Sequence, residues 1–155
     1  MTTTLRILFG VGIFLATITS ALGQAKPIAT RELDVDGVVA EVIESDRKDN
    51  VLTVRVRFRN TGNKPAKLLL VDAQGYVHTY VVSGKVKYPL LVDDRGAQVA
   101  TPRDGGGWLQ PSIKPKGGTW TWWGKFPAPP SDRKDYSLYL KVGPPIDNIP
   151  IIDKP

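Results

Sequence analysis

The side chains able to do chemistry in this chain are a lone histidine, paired aspartates, a cluster of tryptophans and a row of arginines. His78 sits between Val77 and Thr79 in a stretch, Tyr76–Val82, that reads as a strand. A metal or general-base role would need partners, and the chain has no second histidine and no cysteine. A nucleophile–histidine–acid triad would have to recruit Ser83 or Ser112, neither of which lies in the sharp strand-to-helix turn that exposes a nucleophilic serine. His78 is therefore expected to be an ordinary strand residue. The pairs Asp34/Asp36, Asp46/Asp49, Asp93/Asp94 and Asp132/Asp135 lack the spacing of a calcium loop and suit turns and caps. No catalytic residue, metal or cofactor is expected.

The tryptophans offer more. In Thr119–Phe126, Trp120 and Trp122 lie two residues, about 6.8 Å, apart on one face of a strand. Trp123 points the other way unless Gly124 introduces a bulge. One reading makes Trp108, Trp122 and Trp123 a stacking platform for sugar rings or a peptide. The plainer one puts Trp120 and Trp122 in the core with Phe126 and leaves Trp123 outside, because aromatic side chains dominate cores. Arg55, Arg57 and Arg59 recur every second residue. They form either a stripe facing a polyanion or a solvated row paired with carboxylates of the neighbouring strand.

Those arginines belong to the clearest structural element in the chain. In Val51–Asn60, Leu52, Val54, Val56 and Phe58 alternate with Thr53, Arg55, Arg57 and Arg59. A period of two puts one set on a dry face and the other on a wet one, which is a strand with one side on a core. Thr61-Gly62-Asn63-Lys64-Pro65 then supplies turn residues. Upstream, Lys26–Arg31 reads as a leader, Leu33–Glu44 as a strand with Val38, Ala40 and Val42 on one face, and Ser45–Asn50 as a charged hairpin loop. Val39 and Ile43 interrupt the alternation of that strand. Downstream, strands are expected at Lys67–Val71, Tyr76–Val82, Val86–Val92, Thr119–Phe126 and Tyr136–Val142. Gln98–Thr101 makes a short return, and Ile149–Ile152 a terminal edge. Pro89 demotes its strand to an edge. The glycines of Pro102–Gly107 read as a mobile loop. Seven to nine short strands with turn signals between them predict an all-β domain, an immunoglobulin-like antiparallel β-sandwich, with a small barrel as the alternative.

Residues 1–25 read as a signal peptide rather than part of the fold. Arg6 is the only charge there, and Ile7–Ile18 is apolar or small throughout. Twelve residues of helix span roughly 18 Å, short of the ~30 Å needed to cross a bilayer. Small residues at Ala21, Gly23 and Ala25 fit cleavage after Gly23 or after Ala25. Residues 26–155 are then one exported domain without a membrane span, periplasmic or extracellular. The absence of cysteine excludes disulfides, thiolate metal sites and lipoprotein-type acylation. The net charge of +6 is dispersed and accompanied by no nucleic-acid-binding motif, so no nucleic-acid partner is expected.

Several segments in order resemble exported bacterial immunoglobulin-like domains of uncharacterised function, relatives of which are joined to wall-binding domains of the outer-membrane-protein-A type. The segments are Asn60-Thr61-Gly62, Gly84–Gly96, Trp122–Pro130 with its Lys-Phe-Pro-Ala-Pro-Pro run, and Ile146–Ile151. The resemblance covers most of Leu33–Ile152. It implies a β-sandwich in the cell envelope and carries over no catalytic residue. The expected function is a non-enzymatic binding or structural module, engaging an envelope protein through a sheet face or edge. The alternative is a binder of wall polysaccharide through surface tryptophans, and a hydrolase ranks last.

Overall fold

The computed structural model describes residues 25–155, so residues 1–24 of the expected signal peptide lie outside the described residues. The described chain is all-β, without a helix. Its strands are β1 (Ala29–Glu32), β2 (Val38–Lys48), β3 (Val51–Asn60), β4 (Ala66–Lys67), β5 (Tyr80–Ser83), β6 (Val86–Pro89), β7 (Ser112–Ile113), β8 (Gly118–Pro127), β9 (Asp135–Tyr139), β10 (Ile146–Pro150) and β11 (Ile152–Asp153). One sheet runs β1-β2-β3-β8, with β11 added parallel to the far end of β2; a second runs β10-β9-β5-β6, and β4 pairs with β7. All other pairings are antiparallel. The inner faces of the two larger sheets share one apolar core, an arrangement consistent with a β-sandwich.

The alternation in β3 is realised as expected: Leu52, Val54, Val56 and Phe58 are fully buried. The hairpin before it is tighter than the composition suggests. Ser45–Lys48 are strand residues, and only Asp49 and Asn50 form the turn, with φ of 49° and 64°. Two central residues at positive φ match the twist of the flanking strands, and Asp and Asn tolerate that conformation. The supposed leader also contains a strand, β1, because the chain turns at Val35–Gly37 and folds Ala29–Glu32 back onto β2.

The broken alternation in β2 is a bulge. The pairing with β3 shifts between Val42 and Glu44, leaving Ile43 as the extra residue. In an unbroken strand Glu41 and Glu44 would point to opposite faces; the inserted residue brings both to the outer face, opposite Arg57 and Arg55. The same shift turns Ser45 and Arg47 inward. Ser45 Oγ donates to the Pro150 carbonyl (2.7 Å) and accepts from the Tyr136 hydroxyl (3.1 Å), bridging the two sheets.

Other expectations need correction. Lys67–Val71 is not a continuous strand. Its partner segment contains Pro111, which has no N–H to give, so β4 stops at Lys67 and pairing resumes only as a single bridge from Val71 to Leu109. Leu68, Leu70 and Val71 are nevertheless buried. Tyr76–Thr79 is a turn closed by the Thr79 amide on the Tyr76 carbonyl (3.0 Å), so β5 begins at Tyr80 and His78 lies exposed before it. The Pro102–Gly107 loop is wound about Asp104, whose Oδ1 accepts the amides of Gly106 (3.0 Å) and Trp108 (2.8 Å). β6 ends at Pro89 and lies at a sheet edge, as its proline requires.

β8 pairs with β3 in unbroken register from Val51–Pro127 to Asn60–Gly118, so Gly124 makes no bulge. Gly124 has a different purpose. A Cβ there would stand 2.5 Å from Trp122 Cη2 and 2.8 Å from Leu90 Cδ2. The indole lies across the glycine, and neither neighbour can yield within a packed interior. Gly124→Ala is expected to cost about 2 kcal/mol through overpacking, measured as a lower denaturation midpoint with an unchanged slope. The outer edge of β8 is covered by the Leu91–Thr101 excursion: Leu91 and Thr101 amides donate to the carbonyls of Lys125 and Trp123, and the Lys125 amide donates to Val99.

Candidate functional site: two outer sheet faces

The tryptophans expected to act together occupy three environments. Trp122, opposite Val56, is 0 % exposed and is enclosed by the core with Phe126, ring centroids 6.4 Å apart. No ligand can reach it without unfolding the sheet. Trp120 is partly buried and stacks on Phe58 at 6.1 Å. Trp123 points outward opposite Arg55 and is half-buried. Trp108, 41 % exposed, stands on the loop wound about Asp104. This is the arrangement that strict parity along β8 dictates.

Trp123 shares the outer face of the first sheet with the arginine row. Arg57 Nε donates to Glu41 Oε2 (2.6 Å) and Arg59 Nε to Glu41 Oε1 (2.8 Å), while Arg55 Nε is ion-paired with Glu44 Oε2 at 3.0 Å. Glu41 is 3 % exposed and Arg57 is buried beside it. Burial alone would raise the Glu41 carboxyl, but the hydrogen bonds and charges of Arg59 and Arg57 outweigh it and hold the group below its ordinary value. Arg57 Nη2 also donates to the Ala25 carbonyl (3.3 Å), tying down the start of the described chain. Each arginine of the row therefore already faces a carboxylate, and the charge this face could offer to a polyanion is largely spent.

The outer face of the second sheet is aromatic. Tyr80 on β5 and Tyr139 on β9 are directly paired, and their rings stack at 4.6 Å and 13°. Lys87 Nζ lies 3.7 Å from the centroid of Tyr80 on the neighbouring strand. The three side chains make a row of cation, ring and ring, each fixed by the next. A shallow cleft of 390 Å³ opens beside them, lined by His78, Tyr80, Tyr139, Leu140 and Lys141. Lys141 Nζ donates to Asp72; that bond, helped by the Gln74 amide, holds the Asp72 carboxyl below its ordinary value. The neighbouring Val77 is 56 % exposed.

Neither tyrosine figured among the expected site residues. Their signal was available: inward Tyr136 and Leu138 leave Ser137 and Tyr139 outward, and an aromatic on a polar parity is out of place. The same parity puts Tyr80 outside once Val81 is inside. Their meeting was not available, because it depends on which strands are neighbours.

Among the described residues no three of His, Cys, Asp or Glu gather as they would around a metal ion, and no helix is long and apolar enough to cross a membrane. Compared with protein families, curated proteins and solved structures, the chain gives no match.

Proposed function

We propose that this chain is an exported, non-enzymatic binding module of the bacterial cell envelope, an immunoglobulin-like sandwich that engages a protein partner through the outer face of its second sheet. The observation that carries this reading is the Tyr80–Tyr139 stack, already ordered by Lys87 before any partner arrives. Tyrosines held rigid at a surface lose little entropy on binding and are enriched among residues that dominate interfaces.

Contact through a face fits better than strand addition at an edge. The edge strand β6 has four residues, ends in Pro89 and carries Lys87, features that blunt an edge against further pairing. A protein fits the tyrosine face better than a sugar does, because Tyr80 is covered on its ring faces by Lys87 and Tyr139 and presents an edge and a hydroxyl. The polysaccharide alternative rests on the exposed Trp108. The order of segments resembling exported immunoglobulin-like domains supports the envelope address.

Affinity capture from envelope fractions, followed by titration of the captured partner, tests the reading. Tyr80→Ala and Tyr139→Ala are each expected to weaken binding at least about tenfold while Trp108→Ala leaves it unchanged. Retention on purified wall polysaccharide that Trp108→Ala abolishes and the tyrosine variants leave intact would refute it in favour of the sugar reading.

A further inference from the structure

Among the described residues, Arg103 stands in a second cleft without the carboxylate partner that the paired arginines have. Its guanidinium lies against two glycines with positive φ: a Cβ on Gly75 would stand 3.4 Å from Nη1, and one on Gly107 3.9 Å. Both are ordinary van der Waals separations: the guanidinium of this exposed residue rests against the two turns. Arg103 lines a cleft of 460 Å³ together with Tyr76, Gln98, Thr101 and Asp104. Arg47, Arg55, Arg57 and Arg59 each contact a carboxylate, whereas Arg103 has none within 4.0 Å among the described residues. The adjacent Asp104 makes no ion pair with it; its Oδ1 accepts the Gly106 and Trp108 amides.

The floor of the cleft is rigid. Tyr76 is 6 % exposed, and its hydroxyl donates to the Thr101 carbonyl. The buried indole N–H of Trp122 completes no hydrogen bond of its own, yet it lies close enough to act on that hydroxyl. Burial pushes the Tyr76 phenol above its ordinary value, opposed by the Trp122 N–H and by the charge of Arg103. Tyr76 therefore stays a protonated donor.

We propose that this cleft binds the free carboxylate at the end of a peptide, with the Arg103 guanidinium as its cationic contact. A planar guanidinium matches a carboxylate through two parallel N–H···O bonds. Ala97, Ala100 and Pro102 form a small apolar wall for the terminal side chain. A peptide end suits the cleft better than an acidic sugar, because its one aromatic residue is buried and offers no free ring face for stacking. The cleft does not include the tyrosine face, so the two sites stand independently.

The test is a titration of the isotopically labelled protein, followed by its backbone amide resonances, with acetyl-alanyl-alanine as the probe. The amides of Thr101, Gly105 and Gly107 are expected to shift saturably. The C-terminally amidated probe should bind at least about tenfold more weakly, the loss expected for a hydrogen-bonded charge. Arg103→Gln should cause a similar loss. Arg31→Gln, the same charge change on the edge strand of the first sheet, should leave the affinity unchanged, as should Tyr139→Ala. The proposal is overturned if the two probes bind equally, if Arg103→Gln has no effect, if no saturable shift occurs, or if glucuronate binds more tightly than the dipeptide. The last outcome would reassign the cleft to acidic sugars.

Discussion

Glu41→Gln is expected to destabilise the protein by about 3 kcal/mol. Removing one partner of a buried pair leaves the other charge uncompensated in a poorly solvated site, at a cost of roughly 3–5 kcal/mol. Arg57 is that stranded charge: its side chain is 11 % exposed, and without Glu41 only the Ala25 carbonyl remains as a partner. The Arg59 half contributes less, because that side chain is 37 % exposed and water can replace the carboxylate. Glu41→Leu combined with Arg57→Leu should recover much of the loss, since it removes the stranded charge as well. A double variant no more stable than Glu41→Gln would show that the carboxylate acts chiefly through Arg59 or through packing.

The same carboxylate sets an acid limit. Folding holds Glu41 below its ordinary value of 4.5, so as pH falls the unfolded chain takes up the proton first. The stabilisation is therefore complete above about pH 4.5 and is lost as pH drops through the folded-state value. Wild-type stability should decline on acidification, and the difference from Glu41→Gln should narrow. Urea midpoints across pH 3–7 read this directly, the range chosen to bracket the carboxylate titration. A constant difference over that range would contradict the assignment.

Arg47→Ala is the second large change, also expected to cost about 3 kcal/mol, with most of the damage local. The inward-turned guanidinium reaches two separate pieces of chain, the C-terminal Asp153 and the 129–133 turn. Nε and Nη2 donate to Asp153 (2.5 and 3.0 Å), and Nη1 donates to the carbonyls of Pro129 (3.1 Å), Pro130 (2.8 Å) and Arg133 (3.2 Å). Asp153 is 60 % exposed and will hydrate once released, so the pair itself is worth little. The larger loss comes from carbonyls that converge on one buried cation. A lysine has neither the reach of two donor arms nor the planar fork, so Arg47→Lys should recover little. Hydrogen exchange should quicken at Ile151 and Lys154, whose amides bond to the carbonyls of Lys134 and Arg47, while β3 stays protected. Uniformly faster exchange would mean that Arg47 supports the whole fold rather than its C-terminal seam.

Much of the architecture can be read from local pattern. The alternation in Val51–Asn60 and Tyr136–Val142 names the buried set residue by residue, and parity along Thr119–Phe126 separates Trp122 in the core from Trp123 outside. Pro89 marks its strand as an edge because a missing N–H cannot serve a ladder. These readings succeed because side-chain direction in a strand follows covalent geometry, which each residue carries with it. Where local pattern misleads, a distant partner is responsible: Pro111 interrupts the ladder of Lys67–Val71, and the inward Ser45 and Arg47 are strand residues because β10, β11 and the 129–133 turn receive them.

The candidate sites lie almost wholly in that second category. Tyr80 meets Tyr139 because β5 and β9 are neighbours, and Arg103 lines a cleft with Tyr76 and Gln98 because separate turns meet there. Glu41 and Glu44 share a face only because one residue of β2 is left out of register. The sequence by itself determined that the chain builds strands and which side of each is dry, since that follows from the two-residue repeat of an extended backbone. Tertiary structure alone decided which wet sides meet and what they can hold, because strand order and loop closure join residues far apart in the chain, and no short pattern encodes such a pairing.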